Sequence, residues 1–212
     1  DRIAVVGSDA AGDTVVALVA GSDVAAQAQA SHALIDLTKR ASTLDFTGVK
    51  AQRVLSGDKV ASAIRDYLLI GALLTAAEAV GSTSACLAGI VDYLKTRKQF
   101  GKLIGSFQAL KHPTVDIYVG MEHSRSLVYH ASSEIDDGPL SAEAEVACRM
   151  AKAKASDTIQ YAGDRSVQFH GGFGFTWECD SSLFIRRAAW SQQQFGDAMH
   201  HRKRLAPLLL DA

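Results

Sequence analysis

The sequence predicts a mainly α protein: an antiparallel four-helix-type bundle over residues 58–212, preceded over residues 1–57 by part of a β-domain. Three observations lead there. Alanine is abundant and there are only three prolines in 212 residues, a composition that favours helix. Beyond Gly57, apolar residues recur at helical spacing over long stretches, interrupted only by short glycine, proline and aspartate breaks. Before Gly57 the chain instead shows short β-branched runs bounded by turn residues.

The elements come in order. Arg2 to Gly7 reads as a strand, Ser8 to Asp13 as a turn cluster, and Thr14 to Val19 as a second strand. Further strands are expected around Leu34 to Arg40 and Ser42 to Phe46, with Gly48 and Gly57 as breaks in the stretch leading to the first long helix. So few strands cannot close a core alone, and the chain opens directly on a strand at Asp1. Both point to a fragment with further chain upstream. Asp58 is a candidate N-cap for a long helix to about Lys98, spaced by Val60, Ile64, Tyr67, Leu68, Leu74, Leu87, Ile90, Val91 and Leu94. After a break at Gly101 to Gly105, a second helix runs from about Ser106 to Ile135, with Pro113 near its start and Asp136-Asp137-Gly138-Pro139 as its stop. Ser141 caps a third helix reaching about Phe169, with Glu143 and Glu145 at its positive end. A glycine turn at 171–174, a short helix around Ser181 to Ala189 and a last one around Gln192 to Leu209 complete the chain. Helices joined by such short loops pack as an antiparallel bundle.

Bulk properties exclude several classes. A net charge of -1 offers no electrostatic case for nucleic acid or an anionic membrane surface. No uninterrupted apolar run reaches the roughly 18 residues a membrane span needs, so no span is expected. Cys86, Cys148 and Cys179 are odd in number and form no CxxC pair; this argues against a disulfide framework or a zinc site and suits a reducing cytoplasm. His123 and His130 share a helix face at poor metal spacing, so no metal site is expected.

Two segments carry candidate chemistry. In Arg97 to Gln108, an Arg and a Phe one helical turn apart at a helix end would present a guanidinium and a flat face together. The fork of Arg97 suits pyrophosphate oxygens, Phe100 suits stacking, and Gln108 offers donor and acceptor. An exposed basic helix end with one buried Phe fits the same residues. In Gln168 to Phe175, glycines would let backbone approach a ligand, although a helix C-cap and tight turn explains them equally. Among carboxylates, Glu78, Asp92 and Asp197 are candidates for a base, and each also reads as a solvated helix face. His170 reads as a satisfied structural residue, and the basic run His200 to Arg204 as a complement to a helix dipole.

Together the two segments resemble the signatures of acyl-CoA dehydrogenases. Arg97–Gln108 matches R-x-x-F-G-x-x-I-x-x-F-Q, Gln168–Phe175 matches Q-x-x-G-G-x-G-F, and Val49-x-x-x-x-Val54-Leu55 resembles the exit from the family's middle β-domain. The resemblance implies an N-terminal helical domain and the start of a middle β-domain that are absent here, and a C-terminal helical domain that is present. It implies FAD as cofactor, an acyl-CoA substrate and an electron-transfer flavoprotein as redox partner. It also implies pairing in which each C-terminal domain completes its neighbour's flavin site. Arg97, Phe100 and Gln108 would reach the neighbour's FAD diphosphate and adenine end, and Gln168 and Gly172 would line the same cofactor.

The sequence departs from the family at the base. Phe195, in Gln194-Phe195-Gly196-Asp197, occupies the usual glutamate position, and the alternative position on the first long helix falls at Gly71. Neither takes a proton. Asp197 and Met199 also replace residues that usually help bind FAD. The resemblance therefore narrows to the non-catalytic subunit of actinobacterial heterotetrameric steroid acyl-CoA dehydrogenases. The alternatives are a homomeric enzyme using Asp197 as base, or a non-enzymatic helical scaffold.

Overall fold

In a computed structural model, residues 1–25 and 29–210 are described. The chain is mainly α and divides into two compact units, Asp1–Leu68 and Leu69–Ala212. In the first, β1 (Arg2–Ser8) and β2 (Thr14–Ala20) form an antiparallel ladder pairing Val5 with Ala17. Asp9 and Gly12 close the turn between them, with Asp9 Oδ1 accepting from the Ala11 and Asp13 N–H groups at 2.9 Å. A one-turn helix α1 (Gly21–Ala25) follows, then β3 (Gln29–His32) and β4 (Ala41–Leu44), which pair with each other. β5 (Arg53–Ser56) returns to β2 and completes a three-stranded sheet in the order β1-β2-β5.

The strand expected over Leu34 to Arg40 is not formed. Asp36 turns the chain there, its Oδ1 accepting from the Thr38 N–H at 3.0 Å and the Thr38 hydroxyl at 2.7 Å. A local side-chain bond to the backbone outcompetes the ladder, and the strand lies earlier, at β3.

Helix α2 (Asp58–Thr96) begins at Asp58 itself, behind Gly57 at φ 95°. From Leu69 it belongs to the second unit, with α3 (Gln108–Ser133), α4 (Ala142–His170), α5 (Ser181–Gln193) and α6 (Ala198–Leu210). Ser141 caps α4, its hydroxyl accepting from the Ala144 N–H at 3.0 Å. Between α2 and α3 lies a small hairpin of β6 (Lys98–Gln99) and β7 (Lys102–Leu103).

Helix α4 is the axis of the bundle. Its small residues Ala144, Ala147, Cys148, Ala151 and Ala155 are fully covered and allow close approach of its neighbours. They join Leu69, Leu73, Ala76 and Ala79 of α2 and Val128 and Ala131 of α3 in one core cluster. A second cluster gathers Cys86, Ile90, Leu94, Ile117 and Phe169 at the other end. Burial pushes the Cys86 and Cys148 thiols up to about 11, which leaves both unreactive near neutrality. By length and mean hydropathy (1.5 over its richest window) α2 is apolar enough to cross a membrane, although its richest unbroken apolar run, Tyr67 to Leu74, is far shorter than a span. Its Leu69, Leu73, Ala76, Ile90 and Leu94 are instead buried in the bundle core.

The last helix is shorter than expected from the sequence. Residues 194–197 break it, because Phe195 and Gly196 both have positive φ (56° and 95°). The basic run is also placed differently from a dipole complement. His200 to Arg204 sits in the first half of α6, where His201 is buried and Arg202 pairs with Asp157.

Candidate functional site

The end of α2 builds the first half of a groove. The Arg97 N–H donates to the Tyr93 carbonyl at 2.9 Å, and the Arg97 carbonyl accepts from the Ile104 N–H at 2.9 Å, closing the β6–β7 hairpin. Phe100 and Gly101 form its two-residue tip, with φ of 52° and 76°. Positive φ at both central positions is the type I′ arrangement that matches strand twist. Gly101 adopts it freely, whereas Phe100 is strained there. Arg97 and Phe100 are therefore not one helical turn apart at a helix end: the helix stops at Thr96, and the positive φ values cannot continue it. The Phe100 ring is 86% exposed and meets Phe107 edge-on, with ring centres 6.2 Å apart.

The second half comes from the end of α4. Gly171, at φ 62°, turns the chain out of the helix and donates its N–H to the Gln168 carbonyl. A 3-10 turn then spans Gly171–Phe175. The groove between these elements, about 650 Å³, is lined on one side by Tyr93, Arg97 and Gln99 and on the other by Gln168, His170 and Gly172. His170 stacks on Tyr93 with ring centres 4.0 Å apart. Its Nδ1 lies 2.8 Å from the Ser166 carbonyl and 2.9 Å from the Ser181 hydroxyl. Because a carbonyl only accepts, Nδ1 carries the proton, and the ring is fixed as a wall of the groove.

Of the five residues singled out from sequence, Arg97, Gln168 and Gly172 thus line one groove. Phe100 and Gln108 are outside its lining: Phe100 at the hairpin tip, Gln108 exposed as the first residue of α3. A guanidinium, an amide and a glycine turn around one groove suit the oxygens of a pyrophosphate.

A second constellation surrounds residue 195. The Phe195 ring lies directly on Gly71: a Cβ built on Gly71 would stand 2.3 Å from Phe195 Cε1, 2.5 Å from Cδ1 and 2.6 Å from Cζ. The two sequence positions considered for a base are therefore in contact, and a benzyl ring against a bare glycine occupies the place. Asp197 Oδ1 accepts the His200 N–H at 2.7 Å, an N-cap bond at the start of α6, and the side chain is exposed.

Two buried polar residues here escaped sequence reasoning. Lys152, 1% exposed, donates from Nζ to Ser156 Oγ (2.9 Å), the Ser191 carbonyl (3.1 Å) and the Gln192 carbonyl (3.3 Å). Burial lowers its pKa to about 8, against an upward pull from the Asp197 carboxylate. His201, 2% exposed, reaches the Phe195 carbonyl from Nε2 at 3.0 Å. The signal was present, since Lys152 stands in the Cys148, Ala155, Ile159 stripe, where a lysine must find partners. Among the described residues, no group of three potential metal ligands gathers.

The chain belongs to the acyl-CoA dehydrogenase family, since residues 61–207 match the family's description of its C-terminal domain. Acyl-CoA dehydrogenase IpdE2 of Mycolicibacterium smegmatis is 38% identical over 134 residues, which are 63% of this chain and 40% of that protein. Among solved structures, the ChsE4-ChsE5 complex from Mycobacterium tuberculosis aligns with a TM-score of 0.86 at 23% identity, over all of this chain and 56% of the other. The Tcur3481-Tcur3483 steroid ACAD G363A variant aligns with a TM-score of 0.85 at 24% identity, over 99% of this chain and 55% of the other. Both structural likenesses show the fold. The chain spans less than two thirds of the length of each of these three proteins.

Proposed function

We propose that this chain is a subunit of an FAD-dependent acyl-CoA dehydrogenase that contributes flavin contacts to a catalytic partner and has no base of its own. The observation that carries this reading is the Phe195 ring lying on Gly71, both base positions filled without a carboxylate. In α,β-desaturation of an acyl-CoA, a base removes the α-proton while a hydride leaves Cβ for the flavin. The base must therefore stand beside the acyl chain. A phenyl ring there takes no proton, and Asp197 is engaged as an exposed helix cap.

The groove keeps the other half of the chemistry. Arg97, Gln168 and Gly172 would hold the FAD diphosphate, with the exposed Phe100 ring and Gln108 reaching the same cofactor from the hairpin and α3. FAD supplies the hydride acceptor, and an electron-transfer flavoprotein would reoxidise it. Residues 1–57 act in this reading as the remnant of a β-domain and 58–212 as the bundle domain. The ChsE4-ChsE5 complex and the Tcur3481-Tcur3483 steroid enzyme among the structural neighbours support a heteromeric assembly, which in this reading is a heterotetramer acting on a steroid side-chain thioester.

The test is co-purification with a second acyl-CoA dehydrogenase subunit that carries the glutamate base. Flavin should co-purify with the complex, and Arg97→Ala should lower flavin content without dissociating it. If the chain alone retained FAD and oxidised acyl-CoA at ordinary rates, the reading would fail.

A further inference from the structure

We infer that Lys152 and His201 are positioning residues that hold residue 195 over Gly71, making Phe195 a fixed stopper at this chain's own base position. The inference rests on reading residue 195 as that position.

The backbone of the 194–197 turn is an unfavourable one. Phe195 has φ 56°, a conformation that a residue with a bulky side chain adopts only when its surroundings impose it. Gly196 follows at φ 95°, and a Cβ there would meet His200 Cδ2 at 2.6 Å. Something must impose this path, and two buried side chains grip it from either end.

Lys152 grips the entry. Its three bonds satisfy all three ammonium donors, and two of them go to the Ser191 and Gln192 carbonyls in the last turn of α5, just before Gln194 leaves the helix. The carbonyls at a helix C-terminus lack intrahelical partners and form its negative end, so a buried cation there both satisfies and orients them. His201 grips the exit. The Phe195 carbonyl can only accept, so His201 Nε2 carries the proton and donates at 3.0 Å. Nδ1 then holds a lone pair, and it is buried with no partner among the described residues. Burial, then the charges of Lys152, Arg149 and His200, push its pKa down to about 4, so the ring remains neutral with one N–H to give. Asp197 ties the turn to α6 through the His200 N–H.

With both ends held, the backbone of the turn cannot shift without breaking buried bonds, and that backbone is what sets the ring over Gly71. Such a fixed stopper would close this chain's own acyl position permanently, in contrast to a gate that opens for substrate. It also means that the turn retains the geometry to deliver a side chain to that place, whatever residue 195 is.

The experiment places 4-fluorophenylalanine at position 195 of the full chain and reads its fluorine resonance. A separate sample labelled at Phe169, in the other core cluster, serves as reference. Lys152→Met and His201→Leu should each move the 195 resonance toward the value of the free amino acid and leave the 169 resonance in place. His201→Gln, which can present an amide N–H to the Phe195 carbonyl, should restore it. An unmoved 195 resonance in both variants would overturn the inference, as would equal movement of both labels, which marks general loosening of the core. If Lys152→Met does not fold, the His201→Leu and His201→Gln pair decides alone. Flavin is not read in this experiment, so failure of the proposed cofactor role would leave the outcome interpretable.

Discussion

Gly71→Ala tests the contact on which the functional reading stands. The added Cβ would lie 2.3 Å from Phe195 Cε1. Carbon atoms rest about 3.5–4 Å apart, so the ring would have to retreat by roughly 1.2 Å or more. Its backbone is held at φ 56° by the His201 bond, and little of that movement is free. Overpacking of this kind costs about 1–3 kcal/mol. Against it, alanine favours a helix interior over glycine by about 1 kcal/mol. The single variant should therefore be neutral to about 2 kcal/mol less stable. In a Phe195→Ala background the clash is gone, and Gly71→Ala should stabilise by about 1 kcal/mol. The coupling between the sites, read from urea unfolding midpoints at constant m-value, should be about 1–3 kcal/mol. If Gly71→Ala stabilises equally in both backgrounds, the ring does not sit on Gly71 and the stopper reasoning collapses.

Asp197 gives a second, independent check. As an N-cap, Asp197→Asn should leave stability nearly unchanged, whereas Asp197→Ala should cost about 1 kcal/mol in thermal or urea unfolding. Turnover of the co-purified complex should survive Asp197→Asn; its abolition would make Asp197 the base after all. His201 predicts an acid dependence. Its folded pKa of about 4 lies below the ordinary 6.5, so its contribution is fully present above pH 6.5 and is lost as pH falls from 6.5 through 4. Lys152, Arg149 and His200 are the charges and titratable groups that act on it. The loss should be on the order of 3 kcal/mol, and His201→Gln should flatten that part of the stability–pH profile. An unchanged slope in His201→Gln would remove His201 as its source.

The bundle is legible in the sequence because its signals are local and redundant. Periodic apolar residues over α2, Ser141 before α4 and the glycine after His170 each act within a turn or two of themselves. The strand expected over Leu34 to Arg40 fails for the same reason in reverse: an aspartate side chain captures the backbone locally. Phe100 and Phe195 show a different limit. In the sequence both read as side chains in helices or matching segments, yet both sit at positive φ, which no propensity for phenylalanine would suggest.

The sequence by itself determined the mainly α class, the order of the helices, the two motif segments and the lack of a carboxylate at residues 71 and 195. These depend on residue identity and short-range spacing. Only the tertiary structure decided that Arg97, Gln168 and Gly172 share one groove while Phe100 and Gln108 stand outside its lining. It alone showed that Phe195 fills the space over Gly71, and that Lys152 and His201 bond to backbone carbonyls at Ser191 and Phe195. Those relations join residues far apart in the chain. They depend on how α2, α4, α5 and α6 pack, and packing geometry is a property of the assembled core that no single segment encodes.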